Sequence, residues 1–197
     1  MSHLEFALGA RTGFRDLADE DELAGQRVRH VLRITQDLRE LFSGSSSILD
    51  IASGSGEAVF WYRSLFPGVR LVCLERPTPH PTPARPTLAK FAGMAHYRRF
   101  DGVSIPYADA SFDVVTGCGG LAGTSAEQRP AALAEAYRVL KPGGLIILFE
   151  PTGAGRSGRA TARMVQTAGF LETTVRYHGP VPLVPLGPEF HVVAYRP

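Results

Sequence analysis

The sequence is poor in the features that mark several classes of protein. Its 197 residues include only two cysteines, Cys73 and Cys118, which are too few for a disulfide framework. No run approaches 18 consecutive apolar residues, so neither a membrane-spanning helix nor a membrane partner is expected. The N-terminal residues lack the basic start and the long apolar segment of a signal peptide, and the expected location is therefore cytoplasmic.

Charge and histidine content argue against two further kinds of partner. The formal net charge is only +2, and the 21 Lys and Arg residues are scattered without a basic stripe, so no nucleic-acid partner is expected. The six histidines show no spacing typical of metal ligands, and no metal site is expected. A hydrophobic fraction of 44% over this length suits one globular domain, residues 1–197, with a core of its own.

Apolar periodicity alternates between strand-like runs and helix-like stretches along the chain. A 3.6-residue period predicts a first helix over residues 21–42, whereas five prolines in the eleven residues 76–86 exclude a regular helix there. The other predicted helices are 57–66, 87–95, a segment that begins between 125 and 130 and ends at 140, and 158–168. The predicted strands are 47–51, 69–74, 96–100, 112–116, 145–149, 171–177 and 190–195.

This alternation predicts an α/β fold, namely a three-layer sandwich with a mainly parallel seven-stranded sheet whose last strand is antiparallel. Lys-Pro-Gly-Gly at 141–144 predicts a turn that starts the fifth strand. In such sheets a ligand binds at the carboxyl ends of the strands, near the switch in strand order. The chemistry is therefore expected at residues 50–57, 75–76, 101–102 and 116–121.

Two features at these strand ends favour a nucleotide-like cofactor. The loop Asp-Ile-Ala-Ser-Gly-Ser-Gly at 50–56 lies between a predicted strand and a predicted helix, and its small residues let the backbone approach a ligand. Glu75 ends the next strand, nineteen residues after Gly56, where an acid can accept both hydroxyls of a ribose. Each feature has a plain structural alternative, which is a tight turn for the loop and a solvated strand end for Glu75.

These features resemble the class I S-adenosylmethionine-dependent methyltransferases, a family with a Rossmann-like fold. Further matching segments follow along the chain in the order in which that family carries them. The resemblance spans about residues 45–197 and is carried by the segments 48–56, 74–75, 100–107 (Phe-Asp-Gly-Val-Ser-Ile-Pro-Tyr), 111–115 (Ser-Phe-Asp-Val-Val), 136–144 (Ala-Tyr-Arg-Val-Leu-Lys-Pro-Gly-Gly) and 168–170 (Ala-Gly-Phe). It implies S-adenosylmethionine as the cofactor, a cofactor-binding core at residues 45–197 and an N-terminal helical cap at residues 1–44.

The resemblance also implies binding roles for particular positions. The loop after the first strand matches the one that receives the methionine end, Glu75 matches the acid that binds the ribose, and Asp101 matches the residue that meets the adenine amino group. For Asp101, a role as the turn residue before Gly102 is the alternative. The expected cofactor-binding residues are Asp50, Ala52, Ser53, Gly54, Gly56, Glu75, Arg76, Asp101, Gly102, Gly117 and Cys118, the last two beside the sulfonium.

Three departures from the family pattern affect these expectations. Ala52 stands where the family loop has its first glycine, and its methyl group leaves less room for a ligand to approach the loop backbone. Arg76 and Pro77 replace an apolar residue that commonly packs on adenine, and the proline-rich segment that follows is either a lid or a surface loop. The small residues 117–123 stand where many small-molecule enzymes carry aromatic or histidine residues, which predicts a roomy pocket floor without an obvious base.

No strong general base can be named from the sequence. The weak catalytic candidates are Glu150, His80 and Tyr107, and the further acceptor-side candidates are His96, Cys118, His178 and His191. A structural hydrogen bond at the strand end is an equal alternative for Glu150. A half-buried structural histidine is the favoured interpretation of His191.

The expected function is methyl transfer to an O, N or C nucleophile of a small or medium-sized metabolite, driven by proximity and alignment without a metal. The alternatives are a peptide or protein methyltransferase, a cofactor-binding accessory or regulatory protein without transfer activity, and, more distantly, a dinucleotide oxidoreductase. Thr-Gly-Cys-Gly at 116–119 differs from the Asn-Pro-Pro-Tyr-like segment of the amide and adenine methylators. The acceptor side is expected to be open to a metabolite or peptide, or to be completed by a second subunit in a homodimer.

Overall fold

A computed structural model describes residues 47–53, 57–75, 93–121, 123–153, 157–179 and 188–197. The predicted helix at 21–42, the helical cap at 1–44 and the proline-rich segment lie outside these residues. Of the predicted helix at 87–95, only residues 93–95 are described. They form a turn into the next strand instead, because Gly93 adopts a φ of +85°, which a helix does not allow.

The described chain builds a seven-stranded sheet with the order β3-β2-β1-β4-β5-β7-β6. The strands are β1 Ser47–Asp50, β2 Arg70–Glu75, β3 His96–Arg99, β4 Phe112–Cys118, β5 Leu140–Pro151, β6 Leu171–His178 and β7 Glu189–Tyr195. The first five strands pair in parallel, whereas β7 lies between β5 and β6 and is antiparallel to both. The predicted fold class is therefore confirmed.

The described helices are α1 Glu57–Leu65, α2 Arg129–Val139 and α3 Gly158–Thr167. Pro130 stands in the first turn of α2, where a missing N–H costs nothing because that group has no partner inside the helix. The hydroxyl of Ser157 caps the start of α3 by accepting a hydrogen bond from the N–H of Ala160 at 3.2 Å. Gly169, with a φ of +101°, lets the chain leave that helix.

The helices cover both faces of the sheet and so make the three layers. One face packs Ile48, Leu71 and Ile147 against Val59 and Tyr62 of α1. The other face packs Leu49, Val115, Ile146 and Leu148 against helix residues, namely Leu133 and Ala136 of α2 and Val165 of α3. Because the central strands are buried on both sides, their sequences are apolar throughout rather than alternating.

The start of β5 differs from the prediction. Residues 141–144 are not a separate turn before the strand but part of β5, which begins at Leu140 directly after α2. The N–H of Gly143 donates to the carbonyl of Arg196 at 2.8 Å, and the N–H of Arg196 donates to the carbonyl of Gly144 at 2.8 Å. Pairing with the chain just beyond β7 therefore draws this segment into the sheet. Gly143 makes it possible with a φ of +75°.

Within the ranges that the structure describes, no helix is long and apolar enough to cross a membrane.

Candidate functional site at the carboxyl edge of the sheet

The parallel strands end along one edge of the sheet, and the candidate site lies there. After β1 the chain builds β2 and β3 on one side and then returns to place β4 on the other side of β1. This reversal opens a crevice between the loops that follow β1 and β4, which is where ligands bind in sheets of this kind.

The loop after β1 is fixed by hydrogen bonds to its own acid and to β4. Asp50 is buried, and its Oδ1 accepts a hydrogen bond from the N–H of Ala52 at 3.0 Å. The hydroxyl of Ser53 donates to the carbonyl of Asp50 at 3.2 Å, and the N–H of Ile51 donates to the carbonyl of Thr116 at 2.9 Å. The first turn of the loop is therefore preorganised. Gly54 and Gly56 lie outside the described residues.

Beneath this loop, α1 contacts β4 through a buried pair of hydroxyl groups. Tyr62 Oη and Thr116 Oγ1 lie 3.1 Å apart. Burial, followed by the charge of Asp50, raises the pKa of the Tyr62 hydroxyl. The same two causes raise the pKa of the Cys73 thiol. Both groups therefore stay protonated at neutral pH, and they support the loop rather than act as nucleophiles.

The small residues after β4 are explained by contact with this loop. A Cβ on Gly117 would lie 3.0 Å from Cγ1 of Ile51, and a Cβ on Gly120 would lie 3.5 Å from the Cβ of Ala52. The glycines therefore leave room for the two residues that follow Asp50. Gly120 faces the methyl group that Ala52 carries in place of a glycine. Cys118 is buried at the end of β4, which extends two residues beyond the predicted strand.

Glu75 and Asp101 continue the same edge on the other side of β1. Glu75 is the last residue of β2, and in register it stands beside Arg99, the last residue of β3. Asp101 follows two residues later and is exposed; its Oδ1 accepts hydrogen bonds from the N–H groups of Val103 at 2.8 Å and Ser104 at 2.6 Å. These hydrogen bonds lower the pKa of the Asp101 carboxyl, which stays ionised at neutral pH.

Asp101 therefore forms the turn that was the alternative to a binding role. Gly102 completes the turn with a φ of +96°. Because the two turn contacts share Oδ1, the geometry of the turn is compatible with a ligand contact through Oδ2. Arg76 lies outside the described residues.

Acids thus stand at the ends of three neighbouring strands, in the order Asp101, Glu75 and Asp50 towards β4. Four adjacent strands at about 4.8 Å spacing span about 14 Å, enough for an extended nucleoside joined to an amino acid. A ligand with an amino group on its base, two ribose hydroxyls and a cationic amine is chemically suited to a row of acidic residues and backbone carbonyls. The described residues fit S-adenosylmethionine.

The structure separates the weak catalytic candidates. The carboxyl group of Glu150 is buried near the end of β5, where its Oε1 accepts a hydrogen bond from the N–H of Leu121 at 2.9 Å. Tyr107 packs edge-on against Phe112 with ring centroids 5.0 Å apart, and Phe112 begins β4 at the opposite, amino edge. His96 also lies at the amino edge, as the first residue of β3. His80 lies outside the described residues.

The structure brings together two histidines that appear unrelated in the sequence. His178 Nε2 and His191 Nδ1 lie 2.9 Å apart, and the His178 ring stacks on Phe149 with centroids 5.8 Å apart. The sequence suggested dispersed histidines because thirteen positions separate the two along the chain. The register of β6 on β7 makes them neighbours, because Arg176 stands opposite His191 and His178 stands opposite Glu189. Among the described residues, no group of three or more His, Cys, Asp or Glu side chains could hold a metal ion.

Comparisons with known proteins agree with this geometry. The family model described as a methyltransferase domain matches residues 48–144. The ubiquinone/menaquinone biosynthesis C-methyltransferase of Dinoroseobacter shibae is 34% identical over 105 residues, which cover 52% of this chain and 41% of that protein. The demethylmenaquinone methyltransferase of Thermus thermophilus is 31% identical over 111 residues, covering 54% of this chain and 50% of that protein. The chain thus spans about half or less of the length of these relatives.

Solved structures show the same fold at lower sequence identity. PigF with SAH superposes with a TM-score of 0.68 at 19% identity, covering 95% of this chain and 61% of that one. Human N-acetylserotonin methyltransferase in complex with SAM superposes with a TM-score of 0.59 at 16% identity, covering 88% of this chain and 56% of that one. The strand order of this chain and its loop after β1 therefore have the fold of these methyltransferases, and residues 48–144 are similar to the methyltransferase-domain family.

Proposed function

We propose that this chain binds S-adenosylmethionine at the carboxyl edge of its sheet and transfers the methyl group to a small or medium-sized metabolite. The observation that carries the proposal is the row of Asp101, Glu75 and Asp50 at the ends of three neighbouring strands, beside a loop already fixed by hydrogen bonds. A ligand of the shape of S-adenosylmethionine would lie along this row with its sulfonium near β4.

Each part of the edge has a distinct role in this proposal. The loop residues Asp50, Ala52, Ser53, Gly54 and Gly56 receive the methionine end. Glu75 accepts the ribose hydroxyls, with Arg76 beside it, and Asp101 with Gly102 meets the adenine. Gly117 and Cys118 line the position of the sulfonium at the end of β4.

The bound cofactor supplies an activated methyl group, and the protein supplies alignment. Methyl transfer from a sulfonium is a direct displacement, so a nucleophile placed in line with the methyl group gains most of its acceleration from positioning. The preorganised loop after β1 suits this task, because the braced turn fixes one end of the cofactor before the acceptor arrives.

For the acceptor we propose a hydroxylated aromatic ring, methylated on carbon. The support comes from the relatives, which are named C-methyltransferases of ubiquinone/menaquinone biosynthesis and a demethylmenaquinone methyltransferase. A ring carbon becomes a nucleophile when a neighbouring hydroxyl loses its proton. This acceptor would therefore benefit from a base beside the site.

Calorimetric titration tests the cofactor, with NAD as the competing ligand. We expect saturable binding of S-adenosylmethionine and of S-adenosylhomocysteine and no binding of NAD. Glu75→Ala should weaken S-adenosylmethionine binding by about 1–3 kcal/mol, which is about 5- to 150-fold, because hydrogen bonds to a charged group are lost. His96→Gln, at the opposite edge of the sheet, is the matched control. Absence of binding by the unsubstituted protein would overturn the proposal.

Transfer itself is tested with radiolabelled S-adenosylmethionine. The acceptors are 1,4-naphthalenediol kept reduced under argon, catechol, and a histone-derived peptide. Label in naphthalenediol, located on carbon by mass spectrometry, is the expected result. Label in the peptide would favour a protein methyltransferase, and cofactor binding without transfer to any acceptor would favour an accessory protein.

A further inference from the structure

We propose that Arg129 is a positioning residue for the cofactor, because it fixes the turn that supports the loop after β1. The inference rests on the proposed cofactor site and deepens it. We call residues 119–121 and 123–124, which follow β4 at the carboxyl edge, the β4 turn. Arg129 is the first residue of α2, and its Nε donates to the carbonyls of Leu121 at 3.1 Å and of Thr124 at 3.2 Å.

The β4 turn is also held from the side of the sheet. The N–H of Gly119 donates to the carbonyl of Phe149 at 2.8 Å, and the N–H of Leu121 donates to Oε1 of Glu150 at 2.9 Å. Within the turn, the N–H of Gly123 donates to the carbonyl of Gly119 at 3.1 Å. The backbone of Leu121 is therefore held from β5 through its N–H and from α2 through its carbonyl.

The β4 turn lies directly against the loop that receives the methionine end in the proposed function. A Cβ on Gly120 would lie 3.5 Å from the Cβ of Ala52 and 3.7 Å from Cγ1 of Ile51. The hydroxyl of Thr124 donates to the carbonyl of Gly120 at 2.8 Å, and the carbonyl of Thr124 accepts the hydrogen bond from Arg129. Direct contacts therefore connect Arg129 with Ala52 through two residues of the β4 turn.

The position of Arg129 does not suit the helix that it begins. The N-terminus of a helix carries a partial positive charge, which an arginine in the first turn opposes. The first turn of α2 contains no acid, and the side chain of Gln128 makes no capping hydrogen bond. A residue before a proline also prefers an extended conformation, and Pro130 follows Arg129. Two local preferences are thus overridden at Arg129, which is expected where a residue serves a site rather than its own helix.

The contacts of the β4 turn indicate which part of the cofactor depends on Arg129. If the turn moves, the loop at Ala52 loses its neighbour and must be ordered when the ligand binds, which weakens binding. The methionine end should be affected most, because Ala52 belongs to the loop that is proposed to receive it. Glu75 and Asp101 lie on the other side of β1, so the proposed ribose and adenine contacts should be kept.

Two substitutions of similar length separate the hydrogen bonds of Arg129 from the bulk of its side chain. Arg129→Gln places an amide nitrogen at the same number of bonds from the backbone as Nε, so an N–H donor is kept. Arg129→Met keeps the length of the side chain but has no donor. Arg163→Met, at an exposed position of α3, is the control for the loss of an arginine.

Calorimetric titration with S-adenosylhomocysteine is the first test. Arg129→Met should weaken binding about 10-fold and Arg129→Gln less than about 3-fold, whereas Arg163→Met should bind as the unsubstituted protein does. 5′-Methylthioadenosine, which lacks the amino-acid end, should bind equally well to Arg129→Met and to the unsubstituted protein. Equal weakening of both ligands, or equal weakening by Arg129→Gln and Arg129→Met, would overturn the inference.

Hydrogen exchange in the ligand-free protein is the second test and needs no cofactor. The N–H groups of Leu121 and Ala52 should exchange faster in Arg129→Met than in the unsubstituted protein, whereas those of α3 should be unchanged. A merely structural role predicts faster exchange in the β4 turn alone or throughout the protein, with unchanged binding of S-adenosylhomocysteine. That result overturns the inference.

The two tests also separate this inference from the proposed function. If the unsubstituted protein binds neither S-adenosylmethionine nor S-adenosylhomocysteine, the proposed function fails and the inference fails with it. If the unsubstituted protein binds both and Arg129→Met binds them equally well, the proposed function stands and the inference alone fails. Weaker binding by Arg129→Met that Arg129→Gln restores is the result that supports Arg129 as a positioning residue.

Discussion

Tyr62 Oη lies 3.1 Å from Thr116 Oγ1, so a hydrogen bond joins α1 to β4 directly beneath the loop that follows β1. The two residues are 54 positions apart in the sequence, and both are buried. Thr116 also accepts the N–H of Ile51 through its carbonyl at 2.9 Å. One residue of β4 therefore contacts the helix through its side chain and the loop after β1 through its backbone.

Tyr62→Phe tests the contribution of this hydroxyl pair. The ring remains to fill its place in the core, and only the hydrogen bond is lost. We expect the free energy of unfolding to fall by about 1 kcal/mol, measured by urea denaturation. Tyr195→Phe, on a half-buried tyrosine of β7, is the control and should change stability by less than about 0.5 kcal/mol. Equal stability of the two variants would contradict the assignment.

Glu150 is predicted to act as a structural acceptor. Glu150→Ala removes the oxygen that accepts the N–H of Leu121 and should lower the free energy of unfolding by about 2–3 kcal/mol. Glu150→Gln keeps an oxygen at that position and should cost less than about 1 kcal/mol. Methyl transfer by Glu150→Gln should remain near that of the unsubstituted protein. A loss of transfer with normal stability would instead make Glu150 a catalytic acid or base.

The glycines after β4 give a matched pair of substitutions. Gly117→Ala places a methyl group 3.0 Å from Cγ1 of Ile51, so the Ile51 side chain must move by a few tenths of an ångström, and we expect a cost of about 1–3 kcal/mol together with weaker cofactor binding. Gly120→Ala places its methyl group 3.5 Å from the Cβ of Ala52, an ordinary contact, and should be tolerated. Denaturation and calorimetry on both variants check the difference. Equal effects would mean that Ile51 does not limit this position.

Stability should depend on pH through Glu135. Its carboxylate accepts hydrogen bonds from Arg138 at 2.7 and 2.8 Å and from the N–H of Ile105 at 2.9 Å. The Arg138 contact is the main cause that lowers the pKa of the Glu135 carboxyl. Because the pKa is lower in the folded state, this stabilisation is complete above the ordinary glutamate pKa of about 4.3 and is lost as the pH falls through the folded-state value.

The measurement compares Glu135→Gln with the unsubstituted protein across pH. At pH 7 the variant should be less stable by about 1–2 kcal/mol, because the charge-assisted pair is replaced by a neutral contact. The difference should shrink as the pH falls through the folded-state pKa of Glu135 and disappear below it, where the carboxylate is protonated in both states. Glu172→Gln, an exposed position in β6, is the control. A difference that stays constant with pH would show that the Glu135 charge contributes nothing.

Much of the fold could be predicted because local patterns dominate it. The apolar run at 145–149 and the helix at 158–168 were predicted within a few residues, since buried strands and capped helices leave clear signals. The boundary at 141–144 was wrong because Lys-Pro-Gly-Gly has the composition of a turn. The structure pairs it with the chain beyond β7, a long-range contact that composition does not encode.

The candidate site was predictable only in part. The positions of Asp50, Glu75 and Asp101 at the carboxyl edge could be predicted because they follow the predicted strands, and their binding roles remain predictions. The contact of Glu150 with Leu121 was not predictable, because it links residues 29 positions apart through a loop of irregular shape. The glycines at 117 and 120 suggested an open pocket floor, whereas the structure shows Ile51 and Ala52 packed against them.

The sequence by itself therefore determined the succession of strands and helices and the order of the acids along one edge, because both follow from local periodicity and from the topology of a parallel sheet. Only the tertiary structure decided which side chains meet. His178 and His191 became neighbours through the register of β6 on β7, and Tyr62 met Thr116 because α1 packs over β1 and β4. Such contacts depend on pairing and packing between distant segments, and no local pattern specifies them.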